Sequence, residues 1–435
     1  MSSARVMAAL ADRYPSESSM EPDLDRITRL MDLLGSPQRA YPSVHVTGTN
    51  GKTSTARMVD SLLQASGLRT GRFTSPHLDS PTERITLDGT PLSEERFEEV
   101  YDEIAPYIGL VDDPVRMTFF EVLTGMAFAA FADAPVDVAV LEVGLGGLWD
   151  ATNVVDAPVA VVTPIGLDHV PLLGTTLAEI ATEKAGIIKP GATAVLSSQA
   201  PEAASVLLER IATVGATVAR EGLEFGVLDR AVAVGGQLLS LQGLHARYDE
   251  VFLPLHGPYQ AGNAATSLAA VEAFLGRELD GSVVQEAFAR VTSPGRLEVV
   301  RSSPTVLVDA AHNAAGMVAT VAAIDDAFSF TTLIGVVACL ADKDARAMLE
   351  VLEPALTAVV VTSNASPRAL SADDLRAVAV DVFGEDRVSV EDRLDDALDV
   401  AIQLADEAGE YGGAGVLVTG SVVTAGEARR LLSAR

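Results

Sequence analysis

The sequence predicts an α/β fold with two domains, the first built on a mostly parallel sheet and the second smaller. Three observations lead to this prediction. The chain has 435 residues, which is long for one domain and comfortable for two. Apolar, strand-like runs alternate with helical patterns in two successive series. The turn-forming stretch 292–295 separates the two series, so we expect domains at 1–293 and 294–435.

The first series predicts the sheet of the N-terminal domain. Strands are expected at 44–47, 136–143, 159–163 and 193–196, and helices at 53–66, 119–132 and 177–185. The first of these helices carries on one face Ala56, Val59, Leu62 and Leu63, which is amphipathic spacing. Strands that are apolar throughout are typical of a parallel sheet covered on both faces. Residues 223–255 instead show short alternations and indicate a small antiparallel patch.

The second series begins near residue 297 and predicts the C-terminal domain. Strands are expected at 305–308, 332–337, 358–362 and 415–419, and helices at 314–326, 344–353, 371–383 and 392–408. This alternation is typical of a smaller, Rossmann-like α/β domain. Two such domains joined by a hinge suggest a cleft that closes on a ligand.

Composition limits the classes of partner. The 31 basic and 60 acidic residues give a formal charge of −29, which repels nucleic acid and anionic membranes. No apolar run reaches the roughly 20 residues of a membrane helix, and the N-terminus lacks a secretory pattern. Cys339 is the only cysteine, and its apolar surroundings predict a buried side chain rather than a nucleophile. We therefore expect a protein of the reducing cytoplasm.

Residues 47–54 read Thr-Gly-Thr-Asn-Gly-Lys-Thr-Ser and follow directly on a predicted strand. Such a turn directs backbone N–H groups at a phosphate, and the start of the next helix adds positive potential. Lys52 can reach the terminal phosphates of a nucleotide, and Thr53 or Ser54 can face its magnesium ion. Only two residues separate the glycines, where the usual P-loop has four, and the alternative is a plain strand-to-helix turn. The motif predicts a P-loop-type ATPase domain.

Three more residues are candidates at the same edge of the predicted sheet. Glu142 ends the strand 136–143, where open α/β sheets bind ligands and where a carboxylate suits magnesium; the alternative is a solvated glutamate. His169 follows the strand 159–163 and is either a ligand or a structural histidine. Lys184 ends a predicted helix, where a lysine is ordinarily a favourable partner of the helix dipole.

The second domain offers its own candidates. Asp309 and His312 follow the strand 305–308. Arg296 lies at the hinge and could hold phosphate charge, or could be a plain surface arginine.

These motifs belong to a longer ordered set. Its members lie at 26–30, 34–38, 45–53, 73–77, 83–85, 142–147, 150–153, 183–189, 259–264, 294–298 and 309–313. Any one of them is weak, but in this order and spacing the chain resembles folylpolyglutamate synthase and bifunctional dihydrofolate synthase, which are members of the Mur ligase superfamily. The resemblance runs over nearly the whole chain.

The resemblance implies ATP-dependent formation of an amide bond. A substrate carboxylate attacks the γ-phosphate of ATP and becomes an acyl phosphate, and the amine of L-glutamate then attacks its carbonyl. Dihydropteroate would be the first acceptor, and reduced folates would be the later ones. The implied cofactors are ATP and two Mg²⁺ ions. We expect a monomer whose partners are these small molecules, with no nucleic acid and no membrane.

The resemblance also implies roles for individual residues. Nucleotide binding would fall to Thr49, Asn50, Gly51, Lys52, Thr53, Asn263, Arg296 and Asp309. Metal binding would fall to Ser75, Glu142, His169 and Lys184. In this family the matching lysine is carbamylated, which removes an ammonium that would repel the metal. Substrate binding would fall to Phe120, Trp149, Asp150, Ala151 and Ser421, with core packing as the alternative for Phe120. The catalytic residues would be Lys52, Lys184 and His312.

The sequence leaves other functions open. Another Mur-type ligase, such as one that acts on a cell-wall precursor, would share most motifs but should lack those at 73–77 and 83–85. A nucleotide-binding switch would not require Glu142, His169 and Lys184 together. A synthase with the folylpolyglutamate activity alone is a further alternative.

Overall fold

The computed structural model describes residues 2–13, 23–112, 115–408 and 413–433. The chain divides into two compact units. The first contains residues 1–231, 238–254 and 260–291, and the second contains 232–237, 255–259 and 292–435. Each unit alternates strands and helices, so the predicted α/β class is confirmed.

Helices and strands are numbered separately, each in chain order. The helices are α1 (Ser2–Leu10), α2 (Asp25–Leu33), α3 (Lys52–Ala65), α4 (Glu94–Val111), α5 (Phe119–Asp133), α6 (Val170–Leu173), α7 (Leu177–Lys184), α8 (Pro201–Val214), α9 (Pro258–Leu275), α10 (Gly281–Ala289), α11 (Ala314–Ala327), α12 (Ala345–Leu352), α13 (Ala372–Phe383), α14 (Leu394–Ala408) and α15 (Val422–Ser433). The strands are β1 (Ser43–Thr47), β2 (Thr70–Phe73), β3 (Ile85–Leu87), β4 (Thr90–Pro91), β5 (Val138–Glu142), β6 (Val159–Val162), β7 (Thr193–Leu196), β8 (Thr217–Arg220), β9 (Gly226–Ala233), β10 (Gly236–Gln242), β11 (Arg247–Leu253), β12 (Glu298–Ser302), β13 (Thr305–Val308), β14 (Thr332–Val337), β15 (Ala358–Val361), β16 (Val388–Val390) and β17 (Ala414–Thr419).

The first unit is built on an eight-stranded sheet in the order β4-β3-β2-β5-β1-β6-β7-β8. The pairs from β2 to β8 are parallel, and only the β2-β3 and β3-β4 pairs are antiparallel. The mostly parallel sheet is therefore as predicted. Because β1 lies between β5 and β6, the turn that follows it lies beside the carboxyl ends of both neighbours.

Helix α3 follows the turn after β1 and covers the sheet. Its predicted apolar face is confirmed, since all four of its members are buried: Ala56, Val59, Leu62 and Leu63. The helix begins directly after Gly51, whose φ of +88° favours glycine. A Cβ at this position would lie 2.7 Å from Asn263 Oδ1, so both the backbone and the space require a glycine here.

Strand β2 lies in the middle of the sheet although its sequence is polar. Arg72 is buried in it, and its guanidinium donates to Asp60 Oδ2 on α3 at 2.6 Å. Thr70 Oγ1 donates to the other oxygen of Asp60 at 2.5 Å. This buried ion pair joins α3 to the sheet.

The second unit has a six-stranded sheet in the order β12-β13-β17-β14-β15-β16. Only the β12-β13 pair is antiparallel. An apolar core covers each face of the sheet. Cys339 follows β14 and is buried, as predicted, and burial raises the pKa of its thiol to about 12.

Strands β9, β10 and β11 form a separate, smaller sheet. Their order is β11-β10-β9, and they lie in the region where the sequence predicts a small patch. Among the described residues, no helix combines the length and the apolar character needed to cross a membrane.

Candidate active site

The turn after β1 is tied to the segment that follows β6. Thr49 N donates to Pro164 O at 3.0 Å, and Thr49 Oγ1 exchanges hydrogen bonds with the backbone of Gly166, also at 3.0 Å. Lys52 Nζ folds back over the turn and donates to Gly48 O and to Thr49 O, each at 3.1 Å. These hydrogen bonds fix the conformation of the turn and place the Lys52 ammonium beside it. Such an arrangement is suitable for binding an anionic ligand.

Asn263 lies at the same turn, although it is far away in sequence. It is buried on α9, beside Gly51, and its Nδ2 donates to Gln260 Oε1 at 3.0 Å. The structure therefore brings together the residues of the predicted phosphate turn and Asn263.

Glu142 is the last residue of β5 and is buried. Its Oε1 accepts from Thr53 Oγ1 at 2.8 Å, and its Oε2 accepts from Ser75 N at 3.3 Å. Three predicted residues from three separate segments thus meet at one point. Their carboxylate and hydroxyl oxygens are the type of donor that magnesium prefers, so the residues present fit that ion.

Lys184 ends α7, but its side chain does not stay at the helix end. It is buried, and its Nζ donates to Gly48 O at 2.8 Å. Burial, with a smaller effect of the neighbouring Lys52 ammonium, lowers the pKa of Lys184 to about 7. A substantial fraction of this amine is therefore neutral near physiological pH, which a surface lysine is not.

His169 precedes α6 in a left-handed conformation with φ of +49°. Its backbone N–H donates to Asp168 Oδ1 at 2.9 Å, and the Nε2 atom of its ring lies 3.9 Å from the same oxygen. A left-handed histidine costs conformational energy and is common at functional sites. Asp168 also favours the charged form of Lys184, which indicates that the segment after β6 and the end of α7 are close together.

Histidine, cysteine, aspartate and glutamate side chains alone do not make a metal site in the part of the chain that the structure describes. Over residues 2–13, 23–112, 115–408 and 413–433, no group of three or more of these side chains could hold a metal ion. A metal at Glu142 must therefore also use other oxygens, such as those of hydroxyl groups and of a bound phosphate.

Four of the predicted substrate-binding residues lie in or beside the loop that follows β5. The Phe120 ring is half-buried, with its centroid 5.6 Å from that of Phe73. A Cβ at Gly144 would lie 2.5 Å from the Phe120 ring, so only glycine permits this close approach. Trp149 is half-buried further along the same loop, and its backbone N–H donates to Glu183 Oε1 at 3.3 Å.

Asp150 and Ala151 lie at the end of this loop, and both are buried. Asp150 Oδ2 accepts from Leu145 N at 2.9 Å, and burial raises the pKa of its carboxyl group. Trp149 and Asp150 therefore belong to the loop that starts where Glu142 ends its strand; Ala151 follows this loop, and Phe120 packs against its Gly144.

In the second unit, Asp309 holds the turn that carries Arg296. Its Oδ2 accepts from Leu297 N at 2.8 Å, and its Oδ1 accepts from Thr320 Oγ1 at 2.9 Å. Leu297 has a φ of +46°, which an L-residue seldom adopts. Asp309 is thus positioned to stabilise a strained turn.

Sequence reasoning missed two residues that stabilise the same turn. Glu298 Oε2 accepts from Gly295 N at 2.7 Å and pairs with Arg429 Nε, also at 2.7 Å. Glu298 belongs to the motif 294–298, but Arg429 lies 131 positions away on α15, and no local pattern links the two residues.

His312 and Ser421 lie at the ends of neighbouring strands of the second sheet. Nδ1 of His312 lies 3.0 Å from Ala310 O, and because a carbonyl only accepts, Nδ1 is the donor in this hydrogen bond. Ser421 is buried and caps α15, where its Oγ accepts from Thr424 N at 2.9 Å and from Asn364 Nδ2 at 3.2 Å. Sequence reasoning did not identify Asn364, because an isolated asparagine after a strand carries no distinctive signal.

Two known protein families match the chain. Residues 46–271 match the Mur ligase middle domain, and residues 295–422 match the glutamate ligase domain of Mur ligases. All the site residues described in the first unit lie within the first range, and Arg296, Asp309, His312 and Ser421 lie within the second.

Similar proteins match over almost their full length. A Mycobacterium tuberculosis protein named dihydrofolate synthase/folylpolyglutamate synthase is 53% identical, over 98% of this chain and 93% of the relative. The solved structure of M. tuberculosis folylpolyglutamate synthase complexed with ADP has a TM-score of 0.96 and 53% identity, and covers 99% of this chain and 98% of that chain. The structure of Escherichia coli FolC in complex with DHPP and ADP has a TM-score of 0.87 and 31% identity, and covers 100% of this chain and 98% of that chain.

Proposed function

Since the chain belongs to the dihydrofolate synthase/folylpolyglutamate synthase family of Mur ligases and is an ATP-dependent ligase, we propose that it joins L-glutamate to dihydropteroate and to reduced folates. The observation that carries the proposal is the meeting of Thr53, Ser75 and Glu142 at the phosphate turn. The DHPP and ADP of the FolC structure support the choice of substrates.

The reaction joins two anions, so the site must offset their charge. Phosphoryl transfer depends mainly on positioning and on charge neutralisation. Bound Mg²⁺ would supply that neutralisation at the γ-phosphate and the attacking carboxylate. Thr53, Ser75 and Glu142 would hold one ion, and His169 and Lys184 would hold the second.

Lys52 and the turn residues would bind the phosphates. In the described structure, the Lys52 ammonium lies against the carbonyls of Gly48 and Thr49, so a short movement of its side chain would direct it at a γ-phosphate. The backbone N–H groups of Thr49, Asn50 and Gly51 would contact the remaining phosphate oxygens. In the second unit, Arg296 and Asp309 would contribute to nucleotide binding.

Lys184 would serve as a carbamate. Its neutral amine attacks the carbon of CO₂, an N–C bond forms, and one proton leaves to solvent. Burial and the low pKa of this side chain support that step, because only the neutral amine is a nucleophile. We expect ¹³C NMR after incubation with ¹³C-bicarbonate to show a carbamate signal that is absent from Lys184→Ala. A wild-type spectrum without that signal would remove the carbamate from the proposal.

The acceptor would bind beside the loop 144–150. The half-buried Phe120 ring would stack on the pterin, and Trp149, Asp150 and Ala151 at the end of the loop would supply further contacts. His312 would lie near the transferred phosphate or the incoming glutamate, and Ser421 would contribute to the glutamate site. Exclusion of water would protect the acyl phosphate from hydrolysis.

The decisive measurement is phosphate release in the presence of ATP, Mg²⁺ and L-glutamate. We expect release to require either dihydropteroate or tetrahydrofolate, with the glutamylated product confirmed by mass spectrometry. Release with tetrahydrofolate alone would restrict the activity to that of a folylpolyglutamate synthase. Release that ignored both acceptors would overturn the proposal.

The cysteine content bears on the compartment in which the protein works. A chain with one buried cysteine suits a reducing compartment, and we propose the cytoplasm. We propose a monomer that needs only small-molecule partners, which light scattering of the purified protein would test.

A further inference from the structure

His45 is a buried polar residue to which the proposed mechanism gives no part. It lies on β1, two residues before the end of the strand, and is completely buried. Its Nε2 is 2.8 Å from Thr152 Oγ1. Thr152 is also completely buried, and its Oγ1 donates to Asp150 Oδ1 at 2.5 Å. The three side chains form a continuous chain of hydrogen bonds, which we call the β1 relay.

The direction of the relay follows from its chemistry. Thr152 has one hydroxyl proton, and it donates that proton to Asp150. His45 must therefore be the donor to Thr152, with its proton on Nε2. Its Nδ1 is then a bare acceptor, and it has no hydrogen-bond partner among the described residues. Burial lowers the pKa of His45 to about 3, so the ring is neutral at physiological pH.

The β1 relay ends at Asp150 in the loop 144–150, in or beside which the residues predicted to bind the acceptor substrate are found. Asp150 Oδ1 also accepts from Thr152 N at 2.9 Å, and its Oδ2 accepts from Leu145 N at 2.9 Å. Leu145 follows Gly144, against which the Phe120 ring packs. Both carboxylate oxygens of Asp150 are therefore held, one by the relay and one by the loop.

We propose that His45 and Thr152 are positioning residues for the pterin acceptor. They fix the Asp150 carboxylate, and through Leu145 the loop 144–150, in the geometry that binds dihydropteroate. Both side chains are fully buried, so they would act through Asp150 rather than by direct contact. The inference rests on the proposed function, and it predicts an effect on the acceptor that the nucleotide does not share.

Thr152→Val tests the relay because it keeps the shape of the side chain and removes its hydroxyl group. We expect the Kd for dihydropteroate to rise about tenfold, the effect of losing one hydrogen bond, when binding is followed through the fluorescence of Trp149. The KM for dihydropteroate should rise to a similar degree, while the KM for ATP stays within about twofold. Thr152→Ser keeps the hydroxyl group and should bind as the wild type does.

Thr70→Val is the matched control. Thr70 is also buried and also donates to a carboxylate at 2.5 Å, that of Asp60, but it lies at the start of β2. We expect it to lower the melting temperature as Thr152→Val does and to leave the Kd for dihydropteroate unchanged. A Thr152→Val protein that is equally destabilised but binds dihydropteroate normally would overturn the inference.

A second pair of variants tests the other end of the relay. The amide of His45→Gln can reach the position of Nε2, whereas the shorter His45→Asn cannot. We expect near-normal binding in the first and weak binding in the second, and equal binding in both would count against the relay. If the wild type bound no dihydropteroate, the dihydrofolate synthase part of the proposed function would fail and this inference with it. Normal wild-type binding with unaffected Thr152→Val overturns the inference alone.

Discussion

Glu142 is a buried carboxylate whose two oxygens face two different segments of the chain. Thr53 approaches one oxygen from the start of α3, and the Ser75 amide approaches the other from the loop after β2. Burying a carboxylate is costly unless it is hydrogen-bonded or binds a cation. The proposed function adds a metal that arrives with the nucleotide as a further partner of this carboxylate.

We predict that Glu142→Gln lowers kcat by about 100-fold or more, because removal of a charged contact costs about 3 kcal/mol in the transition state. The isosteric amide preserves the packing, so the melting temperature should change little. Glu221→Gln is the control, since Glu221 is a half-buried carboxylate just past β8 on the same sheet. A Glu142→Gln enzyme with ordinary turnover would exclude a metal role for this side chain.

Lys184 can be tested in the same way against a second lysine. We expect Lys184→Ala to reduce ligase activity strongly while circular dichroism shows an intact fold. Lys189→Ala should stay close to wild-type activity, because Lys189 Nζ donates to a backbone oxygen outside the proposed metal site, that of Asn153, at 3.3 Å. Near-normal turnover of Lys184→Ala would refute its part in the reaction.

The ion pair between Arg72 and Asp60 joins α3 to β2, so we expect its loss to affect the stability of the protein. We predict that Arg72→Ala lowers the free energy of unfolding by about 3 kcal/mol or more, because it leaves the Asp60 carboxylate buried without its charge partner. Arg96→Ala should cost less than about 1 kcal/mol, because Arg96 pairs with exposed carboxylates on the surface. Urea unfolding of both variants measures the difference, and equal losses would contradict the prediction.

Elements with a clear apolar period were predictable from the sequence, and β2 was not. The runs that predict β5 and β6 are almost wholly apolar, and the run that predicts β1 is interrupted by His45; all three predictions lie within about two residues of the observed ends. Strand β2 reads Thr-Gly-Arg-Phe, and Arg72 argues against a central strand. Strand β2 can lie inside the sheet because Arg72 pairs with the Asp60 carboxylate on the preceding helix. The apolar periodicity of the sequence does not reveal this pairing.

The residues of the candidate site were likewise predictable from the sequence only in part. Residues that follow strands, such as Glu142, could be placed at one sheet edge because parallel strands end together. The contact of Lys184 with Gly48 joins residues 136 positions apart, and no local pattern predicts it. The link from His45 to Thr152 spans 107 positions and was missed for the same reason.

At the scale of the whole molecule, the charge of −29 acts on substrates that are themselves anions. Salt shortens the range of this repulsion, from about 30 Å at 0.01 M to about 10 Å at 0.1 M ionic strength. We therefore predict that kcat/KM for ATP rises over this interval at fixed free Mg²⁺, while kcat at saturation stays constant. A decrease would mean that the local positive potential of the phosphate turn outweighs the far field.

A dependence on divalent cations is predicted for the reaction as a whole. We expect an excess of chelator to abolish glutamate ligation, and added Mg²⁺ to restore it, because two anionic reactants must meet in an acidic protein. Circular dichroism in chelator should remain unchanged, which separates loss of chemistry from loss of fold. Ligation that continues at full rate in chelator would contradict the metal requirement.

The burial of Cys339 has a practical consequence for experiments. A thiol with a pKa of about 12 and almost no exposed surface reacts slowly with maleimides, which attack thiolates. A cysteine introduced at any exposed position should therefore take up a dye or spin label selectively, without prior removal of the native one. The protein is in effect ready for site-directed spectroscopy as it stands.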